Sequence, residues 1–310
     1  MVVSMGDSTL RATAVRMLLS AGVTVAVFAV IEGGLALVNP GGWSQLYTGD
    51  PGYFWTLRPD ADLEEVPHIE RNTSFSVQTN SQGLRDGPLP VDGPWVLALG
   101  CSTTFGWGLE ADQAWPALLE ERLGIPVVNA GVPGHSSHQG RTVATELLRH
   151  RPTVVILGWG LRDGQGAPLM DKERRPAAWM AQTHLYRWLV GILPGQGSDG
   201  GLPPRVSVAD FRDNLALIAF QAQRHDSRVL ILDMTSRADW PNHGRLLSEL
   251  GLPTVVPQLT DDHHFPEDPI HMNPVGNQAL AEQLEQPVKA LLVADSATDP
   301  APLKPPVQTQ

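Results

Sequence analysis

Apolar positions along this chain fall into three regimes. From Met17 to Val38 they form a nearly unbroken run, MLLSAGVTVAVFAVIEGGLALV, whose one charge is Glu32. The run is as long as a bilayer core requires and has no amphipathic period. From 39 to 93 the chain is rich in Gly, Pro and Asp. There SFSVQT (74–79) alternates as an edge strand does, and NSQGLRDG (80–87) reads as turns. From 95 onward, short apolar runs alternate with stretches of helical spacing. WVLALG (95–100), IPVVNAG (125–131), TVVILGWG (153–160), RVLILDM (228–234) and PTVVPQ (253–258) predict strands. AWPALLEERLG (114–124), HQGRTVATELLRH (138–150), residues 208–224, RLLSELG (245–251) and residues 273–293 predict helices, the last with an awkward Pro287.

Strand and helix in alternation predict an α/β fold, a parallel sheet covered by helices on both faces in three α/β/α layers. This main domain is expected over 94–293. A lead-in segment, 39–93, is expected to pack on it, and a Pro-, Ala- and Thr-rich tail, 294–310, is expected to be disordered. The apolar run predicts a transmembrane anchor over 14–38 behind a tail of residues 1–13. Arg11 and Arg16 precede the run and the next basic residue is Arg58, so the tail is expected in the cytoplasm and the main domain on the periplasmic or extracellular side. A cleaved signal peptide and a buried helix of a soluble protein are the competing readings. The length of the run and the lack of a clear cleavage site favour the anchor. Glu32, near the outer end, can reach the interface.

Composition narrows the partners. The 310 residues carry a formal net charge of −11, against the basic footprint that nucleic acid demands. Cys101 is the one cysteine, so no intrachain disulfide forms. Oligomeric state is not legible.

Two Gly-x-Ser-Thr stretches invite a reading as a catalytic serine turn. Ser8 lies in the short tail with no strand before it, and its match is one of chance. Ser102 stands just past the first predicted strand, at the edge where open α/β sheets bind ligands. A serine hydroxyl needs a base. In DPIHMNPVG (268–276), Asp268 and His271 lie three apart, just before the last predicted helix. That spacing lets the carboxylate hold one ring nitrogen while the other takes the proton from Ser102. The plainer readings are a helix N-cap for Ser102, a turn cap for Asp268 and a surface position for His271.

Taken together, these blocks resemble the SGNH/GDSL hydrolases. GCSTTFGWG (100–108) is similar to their first block, with Cys101 in place of Asp. VVNAGVPGHS (127–136) is similar to the second, GLRD (160–163) to the third with Arg162 in place of Asn, and DPIH to the last. TNSQGLRDG (79–87) and AWPALLEERLG resemble the membrane-anchored bacterial branch. The resemblance spans residues 78–292. It implies a flavodoxin-like sheet in strand order 2-1-3-4-5 and a serine-dependent ester hydrolase or acyl transferase that needs no metal or organic cofactor. It assigns catalysis to Ser102, His271 and Asp268, an oxyanion hole to Ser102, Gly131 and Arg162, and O-acetylated envelope polysaccharide as the substrate in keeping with the expected location.

Two departures bear on activity. Cys101 adjoins Ser102 and is expected to face the core as a small apolar residue; a thiol nucleophile is the competing reading. Arg162 can donate to an oxyanion or to a substrate carboxylate. Paired with Asp163 instead, it leaves the hole one donor short, and the domain becomes a weak or inactive module that binds a glycan or a partner protein. Among other candidates, Asp261, Asp262, His263 and His264 with His271 suggest a metal site, against which stand the missing zinc spacing and a solvated-loop reading. His135 and His138 line the cleft or start a helix. Trp115 reads as core, and Trp107 and Trp159 at strand ends offer stacking faces to a sugar. GQGSDGG (195–201) is a flexible loop rather than a phosphate cradle.

Overall fold

The computed structural model describes residues 6–38, 43–50, 54–85, 87–167, 169–173, 183–185, 202–235 and 243–294. The expected loop at 195–201 and all but the first residue of the expected tail at 294–310 lie outside them. The chain opens with helix α1 (Gly6–Val38), so Ser8 is helical. Its stretch Ala12–Leu37 has mean hydropathy 2.1 and buries nothing in the most apolar window. That is long and apolar enough to cross a membrane, and a signal sequence would look the same. Glu32 is engaged within the protein: its carboxylate accepts the backbone N–H of Leu185 at 2.9 Å and meets the His184 ring at 2.8 Å.

A turn of helix, α2 (Trp43–Leu46), leads into two antiparallel hairpins. The first joins β1 (Tyr47–Asp50) to β2 (Phe54–Leu57), and the second joins β3 (Asp62–His68) to β4 (Thr73–Gln78). The edge strand read at 74–79 is β4; its partner β3 gave no sequence signal. Leu46, Tyr47, Leu57, Val66, Phe75 and Val77 of these hairpins form one apolar cluster with Phe105 and Val132.

The main sheet holds β5 (Val96–Gly100), β6 (Val127–Gly131), β7 (Val154–Gly158), β8 (Arg228–Leu232) and β9 (Thr254–Val255). All neighbours are parallel, in spatial order β6-β5-β7-β8-β9, which is the expected 2-1-3-4-5. The helices are α3 (Ser102–Phe105), α4 (Trp115–Leu123), α5 (Ser137–Leu147), α6 (Val208–Arg224), α7 (His243–Ser248) and α8 (Pro274–Val293). A last hairpin, β10 (His264–Phe265) with β11 (Asp268–Met272), precedes α8, which continues through Pro287.

The layers follow from side-chain alternation. Leu97, Leu99 and Cys101 of the β5 segment pack with Val155, Leu157, Val229 and Ile231 toward α5 and α6. Val96 and Ala98 pack with Val154, Ile156, Leu230 and Leu232 toward α4 and α8. Strands buried on both faces need apolar side chains at every position, which is why the sequence shows runs rather than alternation there. Three glycines, Gly100, Gly131 and Gly158, stand side by side in register at the carboxyl ends of the adjacent strands β5, β6 and β7. Leu99 sits on β5, an interior strand, with no exposed surface. Leu99→Ala is expected to cost about 2–5 kcal/mol of folding stability, read as a lower denaturant midpoint of the detergent-solubilised chain.

Candidate active site

The hydroxyl of Ser102 is presented by a helix of four residues, too short to stand alone. Cys101 precedes it in extended conformation, and its carbonyl accepts the N–H groups of Thr104 and Phe105 at 3.1 and 3.0 Å. The Cys101 side chain is buried among Leu97 and Leu99 on the core side. The far end of α3 is held by Arg85, inside the stretch read as turns. Its guanidinium donates to the carbonyls of Phe105 and Gly106 at 2.9 Å each, of Ser76 at 3.0 Å and of Leu109 at 2.5 Å. A cation at the carbonyl end of a helix satisfies orphan acceptors and opposes the helix dipole. Burial pushes the pKa of Arg85 down to about 10 against the pull of Glu110 and Asp112, which still leaves it charged at neutral pH.

His271 and Asp268 come from β11, whose antiparallel pairing with β10 aims both toward α3. Ser102 Oγ donates to His271 Nε2 at 2.8 Å. His271 Nδ1 donates to Asp268 Oδ2, and the backbone N–H of Ile270 donates to Asp268 Oδ1 at 3.2 Å. All three side chains are buried. Burial by itself would raise the pKa of Asp268, but hydrogen bonds from His271, His68 and Ile270 and the charge of His271 outweigh it and hold the carboxyl well below its usual range. Burial lowers the pKa of His271, and Arg162 and His68 add to this; Asp268 pulls the other way without cancelling it.

A fourth side chain, not singled out from the sequence, closes this set. His68, at the end of β3, has no exposed surface, and its Nε2 donates to Asp268 Oδ2 at 2.8 Å. The nitrogen and oxygen ligand atoms of His68, Asp268 and His271 lie within 4.8 Å of one another. Two N–H groups facing one carboxylate oxygen make a hydrogen-bonded arrangement, whereas a metal ion asks for converging lone pairs. The suggested cluster at 261–264 is arranged differently. His263 Nδ1 accepts the Thr260 backbone N–H at 2.9 Å, and His264 Nδ1 donates to the Thr260 carbonyl at 2.9 Å.

Gly131 corrects the expectation of an oxyanion donor. Its N–H is spent on Asn129 Oδ1 at 3.1 Å. Its role is close approach: a Cβ there would stand 2.3 Å from the backbone nitrogen of Phe105. Further along the same loop, the N–H of Gly134 has no partner among the described residues, and neither has that of Ser102 at the start of α3.

Arg162 is half-buried. Its Nη1 reaches Gln165 Oε1 at 3.4 Å, its buried Nε has no partner among the described residues, and its charge opposes protonation of His271. The ion pair with Asp163 is absent. Asp163 instead accepts the Ser137 N–H at 2.8 Å, the Ser137 hydroxyl at 2.5 Å and the Gly160 N–H at 3.2 Å. Burial pushes its carboxyl up to about 6, although the Ser137 bonds and Arg205 pull down.

Other expectations resolve individually. His135 is buried and fastened to the Trp55 carbonyl at 2.7 Å, so it ties β2 to the loop after β6 rather than lining a cleft. His138 sits on α5 against Phe54. Trp115 and Trp159 are core, at 1% and 2% exposure, which removes Trp159 as a stacking face. Trp107 is half-buried, its ring 6.4 Å from that of His271. Next to Ser102 lies a cleft of about 210 Å³, lined by Thr103, Leu161, Met234, Leu259, His264 and Ile270 among others.

Comparison with known proteins places this geometry. Residues 98–279 match the model of the GDSL-like lipase/acylhydrolase family. Thioesterase 1/protease 1/lysophospholipase L1 of Escherichia coli K12 is 39% identical over 72 residues, 22% of this chain and 35% of that protein. Esterase TesA of Pseudomonas aeruginosa is 32% identical over 93 residues, 28% of this chain and 46% of that protein. The chain thus spans less than half the length of these curated relatives. Among solved structures, that of TesA is 22% identical with TM-score 0.46, covering 64% of this chain and 99% of that one. The acetylxylan esterase Axe2 of Geobacillus stearothermophilus is 13% identical with TM-score 0.45, covering 66% and 97%.

Gly131→Ala keeps the backbone N–H but drives a methyl group into α3. It is expected to lower stability by about 1–3 kcal/mol, read as a fall in the thermal midpoint.

Proposed function

The chain belongs to the GDSL-like lipase/acylhydrolase family, and from that membership we propose that it is a serine esterase with Ser102 as nucleophile, His271 as base and Asp268 as the residue that orients the base. The observation that carries the proposal is the unbroken run of hydrogen bonds from Ser102 Oγ to His271 Nε2 at 2.8 Å and from His271 Nδ1 to Asp268. His271 takes the hydroxyl proton as Ser102 Oγ bonds to the ester carbonyl carbon. The tetrahedral oxyanion is held by the N–H groups of Ser102 and Gly134 and by the Arg162 guanidinium. His271 then protonates the departing alcohol, and the acyl group remains on Ser102. Water, or a second alcohol, attacks that acyl-serine by the same steps in reverse. Cys101, turned into the core, takes no part.

The reading of an inactive binder leaned on an Arg162–Asp163 ion pair. With Asp163 engaged by Ser137 and Gly160, the guanidinium is available to a developing negative charge. The small cleft, lined by Thr103 and His264 as well as by aliphatic side chains, has room for a short acyl group. We further propose that α1 anchors the chain in the cytoplasmic membrane with the catalytic domain outside, acting on O-acetylated glycans of the envelope. The support is the basic pair Arg11 and Arg16 ahead of the apolar stretch.

Ser102→Ala is expected to cut nitrophenol release from nitrophenyl acetate by roughly 10⁴-fold or more and to abolish labelling by a fluorophosphonate. A membrane-impermeant fluorophosphonate is expected to label intact cells, and acetate release from an O-acetylated glycan tests the substrate. Arg162→Ala is expected to lower kcat by about a hundredfold, as loss of one oxyanion donor does elsewhere. Because burial lowers the pKa of His271 from 6.5, the neutral form of the base predominates at that pH. The kcat/KM profile should therefore fall only on the acid side, with its midpoint below 6.5; a midpoint above 6.5 would contradict the assignment.

A further inference from the structure

His68 has no place in the three-residue arrangement just proposed, yet it is the most completely enclosed polar group touching it. Its ring meets Asp268 Oδ2, the same oxygen that the His271 ring meets. An ionised carboxylate only accepts, so Nε2 carries the ring hydrogen. The other nitrogen, Nδ1, is buried with no partner among the described residues, and a hydrogen there would face no acceptor. The ring is therefore locked in one tautomer, with its single N–H aimed at Asp268. Aromatic neighbours fix its plane. The rings of Phe265, His271, Phe75 and Trp107 stand edge-on to it at 5.5, 6.2, 6.5 and 6.5 Å. Gly108 leaves the room it needs: at φ +84°, a Cβ on that residue would lie 2.4 Å from His68 Nδ1. The His68 ring is thus enclosed by these rings and by Gly108 while it holds Asp268.

We infer that His68 is a positioning residue of the catalytic centre, extending the run of hydrogen bonds to His68–Asp268–His271–Ser102. Asp268 accepts the His271 Nδ1–H through Oδ2, and that same oxygen is also held by His68. Without the second donor the carboxylate can turn about its side chain and take the His271 ring with it. His68 lies outside residues 98–279, so the hairpin β3–β4 supplies a component that the family-matched domain does not contain. The inference rests on the esterase reading above.

The test uses the full chain in detergent with nitrophenyl acetate and compares wild type, Ser102→Ala, His68→Leu and His68→Gln. The amide nitrogen of Gln reproduces the position of His Nε2 and restores a donor; Leu fills space and donates nothing. His68→Leu is expected to lower kcat about ten- to a hundredfold, the scale of a small misplacement of reacting groups, with KM unchanged. It is also expected to raise the midpoint of the acid limb of kcat/KM. With one donor gone, more of the Asp268 negative charge bears on His271, alongside the opposing charge of Arg162. His68→Gln is expected to recover both kcat and the wild-type midpoint. Wild-type kcat and midpoint in His68→Leu would overturn the inference. So would equal loss in both variants accompanied by equal falls in thermal midpoint, which marks a space-filling role. A wild type no faster than Ser102→Ala overturns this inference and the esterase reading together, whereas an inactive Ser102→Ala beside an unaffected His68→Leu overturns this one alone.

Discussion

One carboxylate oxygen, Oδ2 of Asp268, is bonded by two imidazole rings, that of His271 three residues on and that of His68 200 residues back along the chain. A buried negative charge is costly unless it is hydrogen-bonded on all sides open to it. Satisfying Asp268 therefore obliges the end of β3, with His68, to meet β11, and the His271 ring that Asp268 holds meets in turn the start of α3 at Ser102. The strands of the sheet put the edge in place, but this charge is what specifies how the loops above the edge must meet.

The Ser102 end of the arrangement faces a different difficulty. Four residues of helix cannot pay for their own ordering, so α3 depends on groups outside it. Asn129 donates to its last carbonyl at 3.3 Å, and Arg85 donates to that carbonyl and to the next. Gly131 lets α3 settle directly on the end of β6. Arg85 also binds the carbonyl of Ser76 in β4, so a single guanidinium fastens the hairpin and the Ser102 turn to each other. Hairpin and sheet edge are thus joined twice, through Arg85 below Ser102 and through His68 behind Asp268.

What could be read from the sequence follows from how local each signal is. The buried strands announce themselves because both faces are apolar, and the Asp268–His271 spacing because a single turn contains it. His68 gave no such sign. The stretch DLEEVPH is acidic and holds a proline; Val66 and His68, two residues apart, are buried and Leu63 is half-buried, too sparse a pattern to mark a strand. Arg85 was hidden in a stretch whose glycines and asparagine proclaim turns; nothing local says that its side chain caps a helix 17 residues on. Gly131 misled because the family block contains two glycines, and only the hydrogen bond to Asn129 tells which N–H is already spent. Trp159 was misplaced for a related reason: a strand-end position does not reveal that α5 covers it, with Gly140 making the room. Contacts distant in sequence carry the information that local patterns lack.

The short path from α1 to the first hairpin has a bearing on where turnover takes place. Only residues 39–42 separate Val38 from Trp43, a reach of about 18 Å at full stretch. Were α1 seated in a bilayer as proposed, the first hairpin would be held within that reach of the lipid headgroups. Encounter with substrate would then become a matter of lateral diffusion and surface density, and polymers or lipids lying against the membrane would be favoured over anything dissolved in the bulk.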